Sequence, residues 1–169
     1  MIELPHSKSC FVCGSRNIGG LNLRFHTDGR IVRTRFTARP EYNGFVGVIH
    51  GGILATILDE VMVWACSVQT KRFFYCAELS VRYRSPAAPG DEITAEGELI
   101  ETKRERLFLT NGKLARPDGS VVATATGKYI PVSGLSMEKV VGDFEGSPEQ
   151  LRAFLPGLTV VANSASPKR

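Results

Sequence analysis

The chain has no uncharged apolar run of eighteen residues, because Asp59-Glu60 interrupts its longest oily stretch, residues 53 to 68. A membrane-spanning segment of ordinary composition is therefore not expected. Its first residues, Met1-Ile2-Glu3-Leu4-Pro5-His6, lack the basic-then-oily order of a signal peptide, so the expectation is a soluble, cytoplasmic protein. Cysteine is scarce: four in 169 residues cannot staple a disulfide scaffold. Internal repeats and low-complexity segments are missing. So is any alternation of strand and helix patterns, which argues against a parallel sheet. The net charge of +4 suits an anionic small molecule as well as weak nucleic-acid contact, but no recognition helix or base-stacking motif accompanies it, so no nucleic-acid partner is expected.

What the chain does have is a loop, Asn43-Gly44-Phe45-Val46-Gly47-Val48-Ile49-His50-Gly51-Gly52, leading into residues 53 to 68. That stretch is oily on every side and reads as a helix of four turns wrapped by the rest of the domain. On such a helix Asp59 shares a face with Ala55, Met62 and Cys66, and Glu60 with Ile53, Ile57 and Trp64; neither has a cation at that spacing. Burying an unpaired carboxylate is costly, so its presence points to use of the charge. Gly51-Gly52 at the helix start leaves backbone N–H groups bare where the helix dipole favours negative charge. These donors and Asp59 lie roughly 10 to 12 Å apart along one helix at 1.5 Å per residue. One helix cannot close both on a single atom, but an antiparallel two-fold partner helix can. His50 is read as a cap or positional hydrogen bonder rather than a base.

Around the helix the patterns are those of strands. Leu21, Leu23 and Phe25 alternate with polar residues, and Asp28-Gly29 turns into residues 31 to 36 as a hairpin. Residues 40 to 47 read as a loop. After Lys71-Arg72 come a strand over 74 to 84, with Ala77, Leu79, Val81 and Tyr83 inward, and a second over 91 to 102. A hairpin over 106 to 132 then turns at Pro117-Asp118-Gly119. The length fits one core that buries about two-thirds of the unfolded chain's surface. The organisation expected is an N-terminal segment over 1–20, a main domain over 21–132, and a tail over 133–169 with a short helix behind Ser147 and a disordered end. Cys66 and Cys76 sit in apolar company, as small hydrophobes. Cys10-Phe11-Val12-Cys13-Gly14 is half of a zinc or redox motif with His6 four residues ahead of it. Without a second pair it reads as thiols capping an N-terminal turn, with structural zinc or a disulfide as the alternatives.

Asn43-Gly44, His50-Gly51-Gly52 with Asp59 seven residues on, and Leu79-Ser80-Val81-Arg82-Tyr83 running toward Pro86 resemble the PaaI-like hotdog thioesterases, over roughly residues 20 to 132. The resemblance implies an α+β hotdog fold, a curved antiparallel sheet wrapped around one long central helix. It also implies a homodimer or homotetramer that hydrolyses acyl-CoA to free acid and CoA, needing no cofactor and no metal. Asp59 would be general base or nucleophile, and Gly52 N–H of the other subunit would polarise the carbonyl, helped by Asn43 and His50. Gly51 and Cys76 would line the substrate, Cys76 standing where relatives often carry Ser or Thr. Arg82, Arg84 and Arg104, with Lys103 and Arg106, are candidates for the CoA phosphates. Two other readings stay open: a hydratase or dehydratase, whose His-Phe-Pro-Gly or Asp-x-Asn-x-x-His patterns are missing here, and a non-catalytic acyl-CoA or acyl-carrier binding module.

Overall fold

The structure is a computed structural model that describes residues 1–133, 142–146 and 150. The helix expected at the centre is α1, Gly51–Thr70. His50 caps its start in an extended conformation, and Lys71 ends it in the left-handed region, donating its N–H to Ser67 O. Ile57, Leu58, Val61, Met62, Ala65 and Cys66 have no measurable exposure. Their spacing of three and four makes one broad apolar face, each large side chain contributing about 1.5–3 kcal/mol by leaving water. By length and hydropathy α1 could cross a membrane, yet it is the core helix of this fold.

Among the described residues the strands run, in chain order, β1 Ile2–Glu3, β2 His6–Ser7, β3 His26–Thr27, β4 Ile31–Thr37, β5 Asn43–Phe45, β6 Val48–Ile49, β7 Phe74–Tyr83, β8 Glu92–Lys103, β9 Leu107–Ala115 and β10 Val121–Pro131, and one more follows. The eleventh, β11, Phe144–Glu145, pairs with β2. The main sheet runs β1-β3-β4-β8-β9-β10-β7, and its adjacent strands are antiparallel. α1 lies across its inner face, packed chiefly on β8 and β9. The alternation read in β8 holds, with Ile93, Ala95 and Gly97 buried. A register shift between Leu99 and Glu101 then turns Ile100 out to solvent.

Helix and sheet meet through glycine. A methyl at Gly97 would stand 2.4 Å from the Val61 carbonyl oxygen, and one at its cross-strand partner Gly112 would stand 3.0 Å from Leu58 and Met62. Any larger residue at Gly97 would push α1 off the strand.

Three local expectations need correction. Leu21 and Phe25 are buried and Leu23 half-buried, but residues 21 to 25 form no ladder: the Leu21 and Leu23 N–H groups donate to Phe11 and Val12 carbonyls, and Asn22 sits at φ 53°. The strand pattern there reflects packing against the N-terminal arm. Residues 40 to 47 are not a plain loop, for a 3-10 turn at Pro40–Tyr42 leads into the β5–β6 hairpin, with Gly47 at φ 76°. Of the four side chains expected inward on β7, Leu79 and Val81 are half-buried while Ala77 and Tyr83 are exposed, because β7 is the last strand of the sheet and, among the described residues, no strand lies beyond it. The short helix and disordered end expected in the tail lie outside the described residues.

Candidate active site

The start of α1 is built by close backbone approach. Gly44 packs on His50, where a methyl would stand 3.1 Å from its Cα, and Gly51 packs on the Tyr83 ring at 3.1 Å. The Tyr83 hydroxyl donates to Gly51 O at 2.7 Å. A cavity of about 440 Å³ opens here between Phe45, His50, Gly51, Leu54, Tyr83 and Arg84. The amide expected to be bare is not: Gly52 N–H donates to His50 Nδ1 at 2.8 Å, so His50 is the helix cap. The imidazole reaches that amide because an N-cap side chain in the extended conformation folds back over the first turn. Asn43 is exposed on β5, opposite Ile49.

Two turns along, Asp59 faces the sheet. Its Oδ1 accepts the Tyr129 hydroxyl at 2.7 Å, and the same hydroxyl lies 3.2 Å from the Asp59 backbone carbonyl. Burial, and then the charge of Asp59, raise the Tyr129 phenol above its ordinary value, so it stays a neutral donor. Cys76, cross-strand partner of Tyr129, completes the group. Its thiol is pushed up to about 11, first by burial and then by hydrogen bonding to Asp59. Cys76 is therefore not the buried small hydrophobe expected: the residue is exposed on the edge strand with its sulfur turned to the acid. Cys66 does fit that description.

Glu60 leaves the helix on another side. Its Oε1 accepts Trp64 Nε1 at 3.0 Å and lies 3.9 Å from Cys10 Sγ. Burial, and next the Cys10 charge, push its carboxyl up to about 8. Cys10 and Cys13 are free thiols at the turn, Cys10 accepting Val12 N–H at 3.2 Å and Cys13 accepting Ser7 N–H at 3.5 Å. Cys13 donates to Cys10, which lowers the Cys10 thiol and raises that of Cys13. His6 pairs instead with Glu145 at 3.6 Å.

The basic candidates separate. Arg82 and Arg84 line a trough of about 520 Å³ on the outer sheet face with Ser80, Lys113 and Thr126, and Arg84 also borders the cavity at the helix start. Arg104 sits in the β8–β9 turn at φ 50°, beside Glu105, whose carbonyl accepts from Arg72 past the far end of α1. Within one chain the structure thus brings His50, Gly51, Gly52 and Arg84 together, and separately Asp59 and Cys76. Ile57, Met62 and Trp64 are buried in the core.

Residues 46–111 match the thioesterase superfamily, a stretch that contains His50, Gly51, Gly52, Asp59 and Cys76. A solved thioesterase superfamily protein is 28% identical, with TM-score 0.64, over 72% of this chain and 59% of its own, so this chain spans less than two thirds of that relative's length. The E. coli PaaI protein of the phenylacetic acid degradation operon is 18% identical, with TM-score 0.61, over 68% of this chain and 82% of its own. The chain has the PaaI-like hotdog fold. A hypothetical thioesterase from Streptococcus pneumoniae, solved with coenzyme A, shares the hotdog architecture at 18% identity and TM-score 0.61, over 69% of this chain and 90% of its own. No curated protein matches the chain.

Reading the sequence missed the partner of Asp59. Tyr129 is 70 residues from Asp59, and nothing local in β10 marks its hydroxyl as the one aimed at the acid. Trp64 was legible as a face-mate of Glu60 four residues on, a spacing at which an indole N–H can reach a carboxylate.

Proposed function

We propose that the protein hydrolyses acyl-CoA thioesters at a site shared by two copies of the chain. The observation that carries this reading is the Asp59 carboxylate, held at one oxygen by Tyr129 and placed beside Cys76 on the open edge strand β7. Along β7, Cys76 marks the Asp59 end and Tyr83 the helix-start end. Two copies joined edge to edge and antiparallel along β7 put the Asp59 of one beside the helix start of the other, which meets the separation of roughly 10 to 12 Å that one helix imposes.

In that cleft a water molecule between Asp59 and the thioester loses a proton to the carboxylate as its oxygen attacks the carbonyl carbon. The negative charge that develops on the carbonyl oxygen is met by the partner's Gly52 N–H, which exchanges His50 Nδ1 for the new acceptor, with Asn43 at the same rim. As the tetrahedral adduct collapses, the C–S bond breaks and the departing thiolate takes the proton back from Asp59, giving free acid and CoA. Arg84 borders the cavity that opens from this end and is the cation placed to meet a CoA phosphate. The streptococcal relative solved with coenzyme A supports this choice of carrier.

Asp59→Asn tests the reading. Assayed against a panel of acyl-CoAs, it should retain the fold by circular dichroism and lose about 10²- to 10⁴-fold in kcat, the scale of a positioned proton-transfer group. Unchanged turnover in that variant would remove Asp59 from the chemistry.

A further inference from the structure

Away from Asp59, the half-motif at the N-terminus acquires a third member. Cys10 Sγ, Cys13 Sγ and a Glu60 carboxylate oxygen all lie within 4.8 Å of one another. A tetrahedral zinc with Zn–S near 2.3 Å and Zn–O near 2.1 Å keeps its donors roughly 3.5 to 3.8 Å apart. The 3.9 Å between Cys10 Sγ and Glu60 Oε1 is already close to that spacing. We infer that Cys10, Cys13 and Glu60 form a binding site for a thiolate-preferring divalent cation, zinc foremost, which fastens the N-terminal arm to the middle of α1.

The surroundings fit ligation. Backbone N–H groups of Val12 and Ser7 point at the two sulfurs, an arrangement that stabilises thiolates and fixes their direction. Trp64 Nε1 donates to Glu60, as an outer-shell group does when it orients a ligating carboxylate. The turn that presents the thiols is closed by the Gly14 N–H to the Cys10 carbonyl at 3.0 Å, and a methyl on Gly14 would stand 2.2 Å from that oxygen, so the turn requires glycine directly after Cys13. Among the described residues no lysine, arginine or histidine pairs with Glu60. Two sulfurs and a carboxylate, Cys13 buried and the other two residues half-buried, converge with no cation beside them among the described residues, and a divalent ion supplies the missing charge. Three protein ligands leave one position. It faces a cavity of about 170 Å³ bounded by Val63, Trp64, Ser67 and Phe144, which has room for a water. The inference is independent of the acyl-CoA reading, since Glu60 and Asp59 leave the helix in different directions.

Trp64 is the only tryptophan in the chain, so the site carries its own reporter. The reduced full-length protein, stripped with chelator, is titrated with Co²⁺ without oxygen. Expected are a thiolate-to-cobalt charge-transfer band saturating at one metal per chain, parallel quenching of Trp64 fluorescence, and loss of the band when Zn²⁺ is added. Glu60→Gln should weaken cobalt binding at least tenfold, and Cys10→Ser should abolish the band. A wild-type titration that reaches excess Co²⁺ with no thiolate band overturns the site whatever the variants do. A Glu60→Gln chain that binds with wild-type affinity overturns the three-ligand assignment.

Discussion

Asp59 and Glu60 are neighbours in sequence with unlike surroundings, and the difference lies in single contacts. Asp59 has a phenol from the sheet; Glu60 has an indole from its own helix and a pair of thiols from the arm. A hydrogen bond from a neutral donor to a carboxylate contributes about 1.5–3 kcal/mol where both are shielded from water. If that bond holds Asp59 in its working direction, Tyr129→Phe should lower kcat about 10- to 100-fold with the chain still folded, and the check is steady-state kinetics beside a denaturant titration. A loss of stability with unchanged kcat would instead assign Tyr129 to the core alone. At this scale the sequence disclosed the acids, because a carboxylate on an oily helix is conspicuous. It hid Tyr129, because a contact across 70 residues leaves no periodic trace. It also misjudged the Gly52 amide: two glycines imply open donors, but the preceding imidazole reaches back and occupies one.

Among the elements, the contact of α1 with β8 is the one most sensitive to a single atom. At Gly97 the nearest neighbour is backbone, which cannot rotate away as a side chain would. Gly97→Ala should therefore destabilise by about 1–3 kcal/mol or more through overpacking, read as a lower denaturant midpoint with the m-value retained. The opposite face of the same strand carries a charge ladder, in which Glu96 accepts Arg33 at 2.8 Å and lies 3.2 Å from Lys113 Nζ. The Arg33 hydrogen bond, foremost, holds the Glu96 carboxyl below its ordinary 4.5. A depressed acid contributes stability above its unfolded value and loses it as pH falls through the folded one. Glu96→Gln should cost no more than about 1 kcal/mol at neutral pH, the groups being partly exposed, and the gap to wild type should narrow in denaturant titrations as the pH is taken progressively below 4.5. β8, β9 and β10 were legible from alternation and from Pro117-Asp118-Gly119, since strands paired on both sides obey the two-residue period. β7 was legible as a strand over 74 to 84, but not which of its side chains are covered, and residues 21 to 25 were misread as a strand, because an edge strand and an arm laid on the core owe their burial to neighbours the pattern does not contain.

For the whole molecule, β7 is a ten-residue strand whose outer edge pairs with no other strand among the described residues, and Tyr75 and Tyr83 stand in the open along it. Soluble proteins seldom leave such an edge bare. Pairing with a second copy closes it and completes the proposed site, so light scattering should give a mass twice or four times that of the chain. A monomeric mass in an active preparation would exclude the shared site. The resemblance read from His50-Gly51-Gly52 and Asp59 anticipated the hotdog architecture, while the assembly depends on shape between chains that no residue spacing encodes.

The contact at Gly97 and Gly112 has a further consequence for what such a molecule can accept. With strand backbone pressed against helix backbone at Gly97, and Leu58 and Met62 against Gly112, a hydrocarbon has no room between α1 and the sheet at that crossing. On the proposed two-copy site a long acyl group would lie along the seam between copies, so substitutions bordering that seam, and not enlargement of the interior beside Gly97, are where a change in chain-length preference should be sought.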